Sequence, residues 1–302
     1  MAILGPRGFA GVLVMEQSRR NRPVTIAIPS SLISDVPHLR EKTTLVGQIG
    51  RAAAVFRVEH IVVYKDPLES RNEEVLIKKL LEYMDTPQYL RKALFPLDTS
   101  LAYAGLLHPL RTPHHPIASR VRDLQIGDMR KGVVVETHGG KALVEIGVER
   151  TIALKSAEPT RDRKRSVRIT QIKPRLEGET VEDREVPFYW GFEVVTARSL
   201  SEVVKNFRPG LTVATSRWGD SLMNSLTQLR NEWAHKNSLL LAFGSSKNGL
   251  AEILRSEGME LGEVFDFTLN FVPDQGSQTV RTEEALLCVL GIVNVLLDDV
   301  AD

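Results

Sequence analysis

Asn270-Phe271-Val272-Pro273-Asp274-Gln275-Gly276-Ser277-Gln278-Thr279-Val280-Arg281-Thr282-Glu283-Glu284-Ala285 joins a polar loop bearing Gly and Pro to a long apolar stretch. Thr282 stands where a helix wants its N-cap, and Glu283 and Glu284 follow where the helix dipole favours negative charge. Behind them Leu286, Leu287, Val289, Leu290, Val293, Leu296 and Leu297 form an apolar stripe that calls for burial. Cys288 shares that stripe and reads as a buried, inert thiol. A polar loop fixed on an anchored helix is a rigid platform for a ligand. A capped helix behind an ordinary turn is the other reading of the same residues.

Upstream, Leu239-Leu240-Leu241-Ala242-Phe243 is an apolar run of strand length, followed by the loop Gly244-Ser245-Ser246-Lys247-Asn248-Gly249. The two glycines have the spacing of a phosphate loop, but Leu250-Ala251 replaces the Lys-Ser/Thr that such a loop needs, which excludes a nucleoside-triphosphate site. The loop still follows a strand, and open α/β sheets bind ligands at the carboxyl ends of their strands. A third loop, Ala214 to Asp220, follows the strand Leu211–Thr215.

The α/β texture extends to the amino-terminal third. Val24–Ile28 and His60–Tyr64 read as buried strands, and Leu39–Arg57 and Asn72–Met84 as helices. Strands alternating with helices predict a parallel sheet covered on both faces. Residues 86–117 carry Pro87, Pro96, Pro109, Pro113 and Pro116, which exclude a long helix. Between Ala118 and Pro187 the segments turn short and strand-like: Gly132–Glu136, Ala142–Ile146, Thr151–Leu154 and Val167–Ile172, with Gly139-Gly140 as a hairpin turn. This predicts a small OB-like β-barrel, residues 118–187, set into an α/β domain made of residues 23–117 and 188–302. After the barrel come a strand at Phe192–Thr196, helices at Ser199–Phe207, Asp220–Lys236 and Lys247–Ser256, and a strand at Phe265–Asn270.

Composition sets the outer bounds. The chain has 302 residues, 39 Lys+Arg against 38 Asp+Glu, and 42% hydrophobic residues, the profile of a globular protein without a wholesale basic coat. One cysteine excludes an internal disulfide framework and a cysteine-rich metal site, and fits a reducing, cytoplasmic setting. The longest apolar run, Ala285–Leu297, is too short to cross a bilayer. Residues 1–22 read as a loose leader rather than a signal peptide, because Arg19-Arg20 follow the apolar residues instead of preceding them.

The three carboxy-terminal loops, in this order, resemble the SPOUT class of S-adenosylmethionine-dependent RNA methyltransferases, in the archaeal and eukaryotic subfamily with an inserted OB-like barrel. The resemblance rests on Asn270–Ala285, Phe243–Gly249, Asp85-Thr86-Pro87-Gln88-Tyr89-Leu90-Arg91-Lys92 and Leu110-Arg111-Thr112-Pro113-His114-His115-Pro116, and runs from Val24 to the carboxy-terminus. It implies a trefoil knot, which no periodicity could show. It also implies a homodimer, with ribosomal RNA and a uridine base as the favoured substrate. Carried over by position, the cofactor residues are Thr215, Gly244, Pro273, Gln275, Gly276, Ser277, Thr282 and Leu286, with Leu241, Phe243, Val272 and Leu286 as the apolar slot for adenine.

Methyl transfer needs an aligned nucleophile and removal of its proton. Gly47-Gln48-Ile49-Gly50-Arg51-Ala52-Ala53 resembles the first motif of the class, which makes Arg51 a catalytic candidate beside Arg281 and Glu283; Asp274 and Glu283 are the carboxylates available as base. Two basic regions are candidates for RNA contact: Arg163, Lys164 and Arg165 in the barrel, and Arg91, Lys92, Arg111, His114 and His115 before it. His108, His114 and His115 have no carboxylate or thiol at ligand spacing, so no metal is expected. The rival readings are a non-catalytic RNA-binding or assembly factor of the same fold, and a Rossmann-like enzyme, for which the glycine fingerprint is missing.

Overall fold

The computed structural model describes residues 18–70, 73–138, 141–154 and 164–297. The chain opens with strand β1 (Val24–Pro29), helix α1 (Leu39–Val55), strand β2 (His60–Tyr64), helix α2 (Glu74–Asp85) and the short helix α3 (Gln88–Leu94). The barrel strands follow: β3 (Met129–His138), β4 (Lys141–Glu145), β5 (Ile152–Leu154), β6 (Arg165–Gln171) and β7 (Glu177–Val181). Then come β8 (Glu193–Ala197), α4 (Leu200–Phe207), β9 (Leu211–Ser221), α5 (Leu222–Ala234), β10 (Leu239–Ala242), α6 (Leu250–Ser256), α7 (Leu261–Val264), β11 (Phe267–Asn270) and α8 (Thr282–Leu297).

The main sheet has the order β11-β9-β10-β1-β2-β8, and every pair in it is parallel. All six residues of β1 are buried, as a central strand covered on both sides requires. Successive side chains point to opposite faces. Ile26, Ile28, Leu239 and Leu241 pack with α1, α2, α5 and α8, whereas Ala27, Tyr64, Leu240 and Ala242 pack with α4, α6 and α7. The chain leaves the sheet at its β11 edge and returns as α8 to the α1 face, so the carboxy-terminal segment crosses back past β9 and β10. That return is the crossing a threaded carboxy-terminus requires.

The five barrel strands close in the order β3-β4-β5-β7-β6, with β5 and β7 the parallel pair, the Greek-key connectivity of an OB barrel. Its core is aliphatic, built from residues such as Val134, Val144, Ile152, Val167 and Ile169. Strand β7 was not legible, because Glu-Gly-Glu-Thr-Val shows no apolar run. Gly178 is required there: a Cβ would lie 2.7 Å from the Arg168 carbonyl oxygen. The expected Gly139-Gly140 turn lies outside the described residues.

Three expectations need correction. Strand β9 runs on to Ser221, so the predicted Ala214–Asp220 loop is strand; its far end pairs with β11 (Leu269 with Asp220, Asn270 with Ser221) after a register shift. Gly219 makes this pairing possible, since a Cβ would sit 2.6 Å from the Thr268 carbonyl oxygen. The second correction concerns the leader. Residues 1–17 lie outside the described residues, but residues 18–22 are docked: Arg19 pairs with Glu59, Arg20 donates to Asn294 Oδ1 (2.6 Å), and the Arg22 guanidinium lies over the Trp233 ring. The third is on α8, where Leu287 (52% exposed) and Cys288 leave the expected buried stripe and, with Val295 (67%), form a second, open apolar face.

Candidate functional site

The carboxyl ends of β9, β10 and β11 and the first turn of α8 enclose a cleft of about 650 Å³. Phe243, Leu250, Leu269, Phe271, Val272 and Val289 give it an apolar floor, and Thr215, Gly244, Gln275 and Thr282 a polar rim. Local chemistry fixes the rim. The Thr215 hydroxyl donates to the Ala242 carbonyl (2.9 Å), tying β9 to β10. The Thr282 hydroxyl donates to the Gly244 carbonyl (2.8 Å), tying α8 to the same loop. Thr282 is thus the first residue of α8 rather than its cap; the Glu284 carboxylate instead accepts from the Arg281 N–H (2.9 Å). Gly244 opens a tight turn in which Ser245 N–H donates to the Asn248 carbonyl and Asn248 N–H to Ser245 Oγ, both at 2.9 Å. A Cβ on Gly244 would stand 2.8 Å from the Asn248 carbonyl oxygen.

Two residues that sequence reasoning missed hold this turn from below. Buried Asp66 accepts from Ser31 Oγ (2.6 Å), Leu68 N–H (3.0 Å) and Asn248 Nδ2 (3.3 Å), and the Tyr64 hydroxyl donates to the Phe243 carbonyl (2.7 Å).

Of the expected cofactor residues, Thr215, Gly244, Gln275 and Thr282 line the cleft, as do Phe243 and Val272. Leu286 and Leu241 do not; both are fully buried in the core behind it. Pro273, Gly276 and Ser277 sit on the exposed outer part of the loop, and a Cβ on Gly276 meets nothing within 4 Å. Gln275 braces that loop by donating to the carbonyls of Ser277 (2.9 Å) and Gln278 (3.2 Å).

Glu283 is half-buried at the start of α8. Burial pushes its carboxyl above the ordinary glutamate value; Arg281 pulls it down, while Glu284 and Asp35 push it up. Arg281 is exposed beside it. Arg51 lies elsewhere in the fold: its guanidinium clamps the carbonyls of Leu110 (2.7 Å) and Pro109 (3.3 Å). Next to that clamp Arg111 is exposed with a left-handed backbone (φ 52°).

The remaining basic residues divide sharply. His114 is fully buried, and its Nε2–H is shared between the Asp85 carbonyl oxygen (2.9 Å) and the Asp85 carboxylate (3.1 Å). His115 Nε2–H donates to the same carbonyl (3.0 Å), and the Lys164 ammonium to Asp85 Oδ2 (2.6 Å). Lys164 therefore ties the barrel, and His114 the proline-rich segment before it, to the end of α2, and neither is a free RNA contact. Burial alone would raise the Asp85 carboxyl, but Lys164 and His114 outweigh it and hold the group well below the carboxylate range. Arg91 folds back on Thr86 O (3.0 Å) and over the Tyr83 ring, and burial lowers its pKa. Arg165 is half-buried on β6, Lys92 is exposed, and Arg163 lies outside the described residues. No described helix is long and apolar enough to cross a membrane.

A family model described as "Putative RNA methyltransferase" matches residues 23–293. The human 28S rRNA (uridine-N(3))-methyltransferase is 32% identical over 91% of this chain and 79% of its own length. The Drosophila melanogaster protein of the same name is 29% identical over 97% of this chain and 67% of its own. Among solved structures, the SpoU methyltransferase AviRb from Streptomyces viridochromogenes, in complex with AdoMet, superposes with a TM-score of 0.37 at 12% identity; this chain covers 62% of its length. A family match across the sheet, the barrel and the cleft-bearing carboxy-terminal segments places the chain in the SPOUT family of RNA methyltransferases.

Proposed function

We propose that this chain transfers a methyl group from S-adenosylmethionine to N3 of a uridine in large-subunit ribosomal RNA. The observation that carries the proposal is the cleft where the carboxy-terminal segment crosses the loop after β10. Its volume of about 650 Å³ lies within the range of small-molecule sites, and its apolar floor with a few fixed polar groups suits an adenosyl group. The cofactor, when bound, supplies an electrophilic methyl on a sulfonium. Phe243, Leu250 and Val272 would flank its adenine, and the polar groups of Thr215, Gly244, Gln275 and Thr282 would fix its edge.

The uridine N3 carries a proton that must leave as the new N–CH₃ bond forms and the S–CH₃ bond breaks. Glu283, its proton affinity raised by burial, accepts that proton. The Arg281 guanidinium beside it steadies the negative charge that develops on the base. Arg51 acts one step away: by holding the Pro109–Leu110 carbonyls it sets the direction of Arg111 toward RNA phosphate. Residues 23–117 and 188–302 form the methyltransferase domain in this reading, and the barrel of residues 118–187 is the RNA grip. The chain works as a homodimer through the open face of α8 at Leu287, Cys288 and Val295, in a compartment that holds ribosomal RNA, the cytoplasm on the sequence reading.

The test is mass spectrometry of ribosomal RNA from cells lacking the protein, with the purified chain added back together with S-adenosylmethionine. Loss of one 3-methyluridine and its restoration in vitro are expected. An unaltered set of methylated nucleosides overturns the proposal.

A further inference from the structure

Most aromatic side chains here are covered. Among the described residues the exposed aromatics are Tyr103 (42% exposed) and Trp218 (83%). The barrel segment, residues 118–187, contains no Phe, Tyr or Trp at all, so the platform on which single-stranded bases stack cannot come from it. Trp218 stands on the far end of β9 and lines the mouth of the cleft.

Its setting is rigid although the ring is open. Trp218 N–H donates to Ser216 Oγ (3.2 Å), Asn270 Nδ2 donates to the Arg217 carbonyl (3.0 Å), and β9 is paired to β11 just beyond, at Asp220 and Ser221. The Arg217 guanidinium lies 4.7 Å from the indole centroid and donates to the Gln278 carbonyl (2.7 Å). Arginine thus backs one face of the ring and leaves the other to solvent. An indole held in water at this exposure gives up the stabilisation that burying so large an apolar surface would bring. A flat, cation-backed face at the rim of a cleft matches the π-face of a nucleobase, and the Arg217 charge suits the phosphate attached to it.

We propose that Trp218, backed by Arg217, is a nucleobase-stacking subsite that holds an unpaired base of the RNA at the mouth of the cleft. This rests on the reading of the chain as a methyltransferase acting on RNA, and it adds a contact that selects single-stranded over paired substrate: a base inside a duplex has no free face to offer.

The experiment uses the full chain, a fluorescein-labelled oligouridine of about 12 nucleotides, within the usual site sizes of single-strand binders, and three proteins: wild type, Trp218→Ala and Trp218→Tyr. Anisotropy gives affinity, intrinsic tryptophan emission reports stacking, and sedimentation gives oligomeric state. Trp190 (7% exposed) and Trp233 (4%) are buried, so RNA should quench the emission of Trp218. Wild-type emission is expected to be quenched on titration; Trp218→Ala should bind about tenfold more weakly and Trp218→Tyr should recover most of the loss. With a methylatable ribosomal RNA fragment, KM for RNA should rise by a similar factor in Trp218→Ala, more than kcat falls. Equal affinity of Trp218→Ala and wild type, with wild type still methylating RNA, overturns the subsite and leaves the methyltransferase reading standing. Failure of wild type both to bind and to methylate overturns both. A Trp218→Ala chain that changes oligomeric state assigns the indole to a protein interface and overturns the subsite as well.

Discussion

The Asp85 clamp gives the most exacting prediction about how the barrel is held. Its carboxylate is almost fully buried and accepts from Lys164 Nζ (2.6 Å), His114 Nε2 (3.1 Å) and the Phe192 N–H (3.1 Å). Asp85→Ala leaves the Lys164 ammonium, itself only a quarter exposed, without its counter-ion, and the buried Phe192 N–H without an acceptor. His114 keeps the Asp85 backbone carbonyl. Removing one partner of a buried pair costs about 3–5 kcal/mol. Lys164→Met should cost less, because Asp85 retains His114 and the Phe192 N–H. The two substitutions together should cost less than their sum, with a coupling of about 2 kcal/mol. Urea unfolding at pH 7, followed by circular dichroism and by the fluorescence of Trp190, whose ring packs 5.8 Å from that of His114, measures all three. The sign with pH is fixed. The folded pKa of Asp85 lies below the unfolded value of about 3.9, so its contribution is complete above that value and is lost as pH falls through the folded pKa. A cost for Asp85→Ala below about 1 kcal/mol, or costs that simply add, refutes the clamp.

His115 predicts a second, earlier acid step. Burial, then the neighbouring His114, lowers its pKa to about 4, so the unfolded chain takes up the proton first and stability falls between about pH 6.5 and 4, by about 3 kcal/mol; the slope of urea stability over that window should largely vanish in His115→Gln. Gly244→Ala forces a Cβ to 2.8 Å from the Asn248 carbonyl oxygen and 3.1 Å from Gly249 Cα, both backbone. Calorimetry with S-adenosylhomocysteine should show binding weakened at least about tenfold at unchanged circular dichroism, and full affinity would remove the turn from the site. Glu283→Gln should lower kcat by about 10²–10⁴-fold and abolish the acid limb of the pH–rate profile. In wild type that limb lies above the ordinary glutamate pKa, because burial raises the group and it must be ionised to accept a proton. A variant that keeps the limb would show that another residue is the base.

Apolar run length was enough to read the parallel sheet. Val24–Ile28, His60–Tyr64 and Leu239–Phe243 are short, β-branched or leucine-rich runs between helical patterns, and strands buried on both faces have to look so. The start of the last helix was legible to within one residue, because its acidic first turn directly follows Thr282. The motif order brought Thr215, Gly244, Gln275 and Thr282 to one cleft from three separate stretches. What stayed hidden has a common cause. Periodicity records which face of an element is apolar, but not which polar group it meets across the fold. Lys164 and His114 read as an open basic surface until the fold set them on Asp85, 79 and 29 residues away. The end of β9 read as a loop because only its pairing with β11 makes it a strand. Leu287 and Cys288 read as core because one helix offers more apolar surface than one sheet can cover. Sequence therefore determined the parallel strands, the presence of a barrel and the loops after β10 and β11. Tertiary structure decided which charges are spent on holding the barrel and left Trp218 open at the cleft, because side-chain partners are chosen by distance in space and not along the chain.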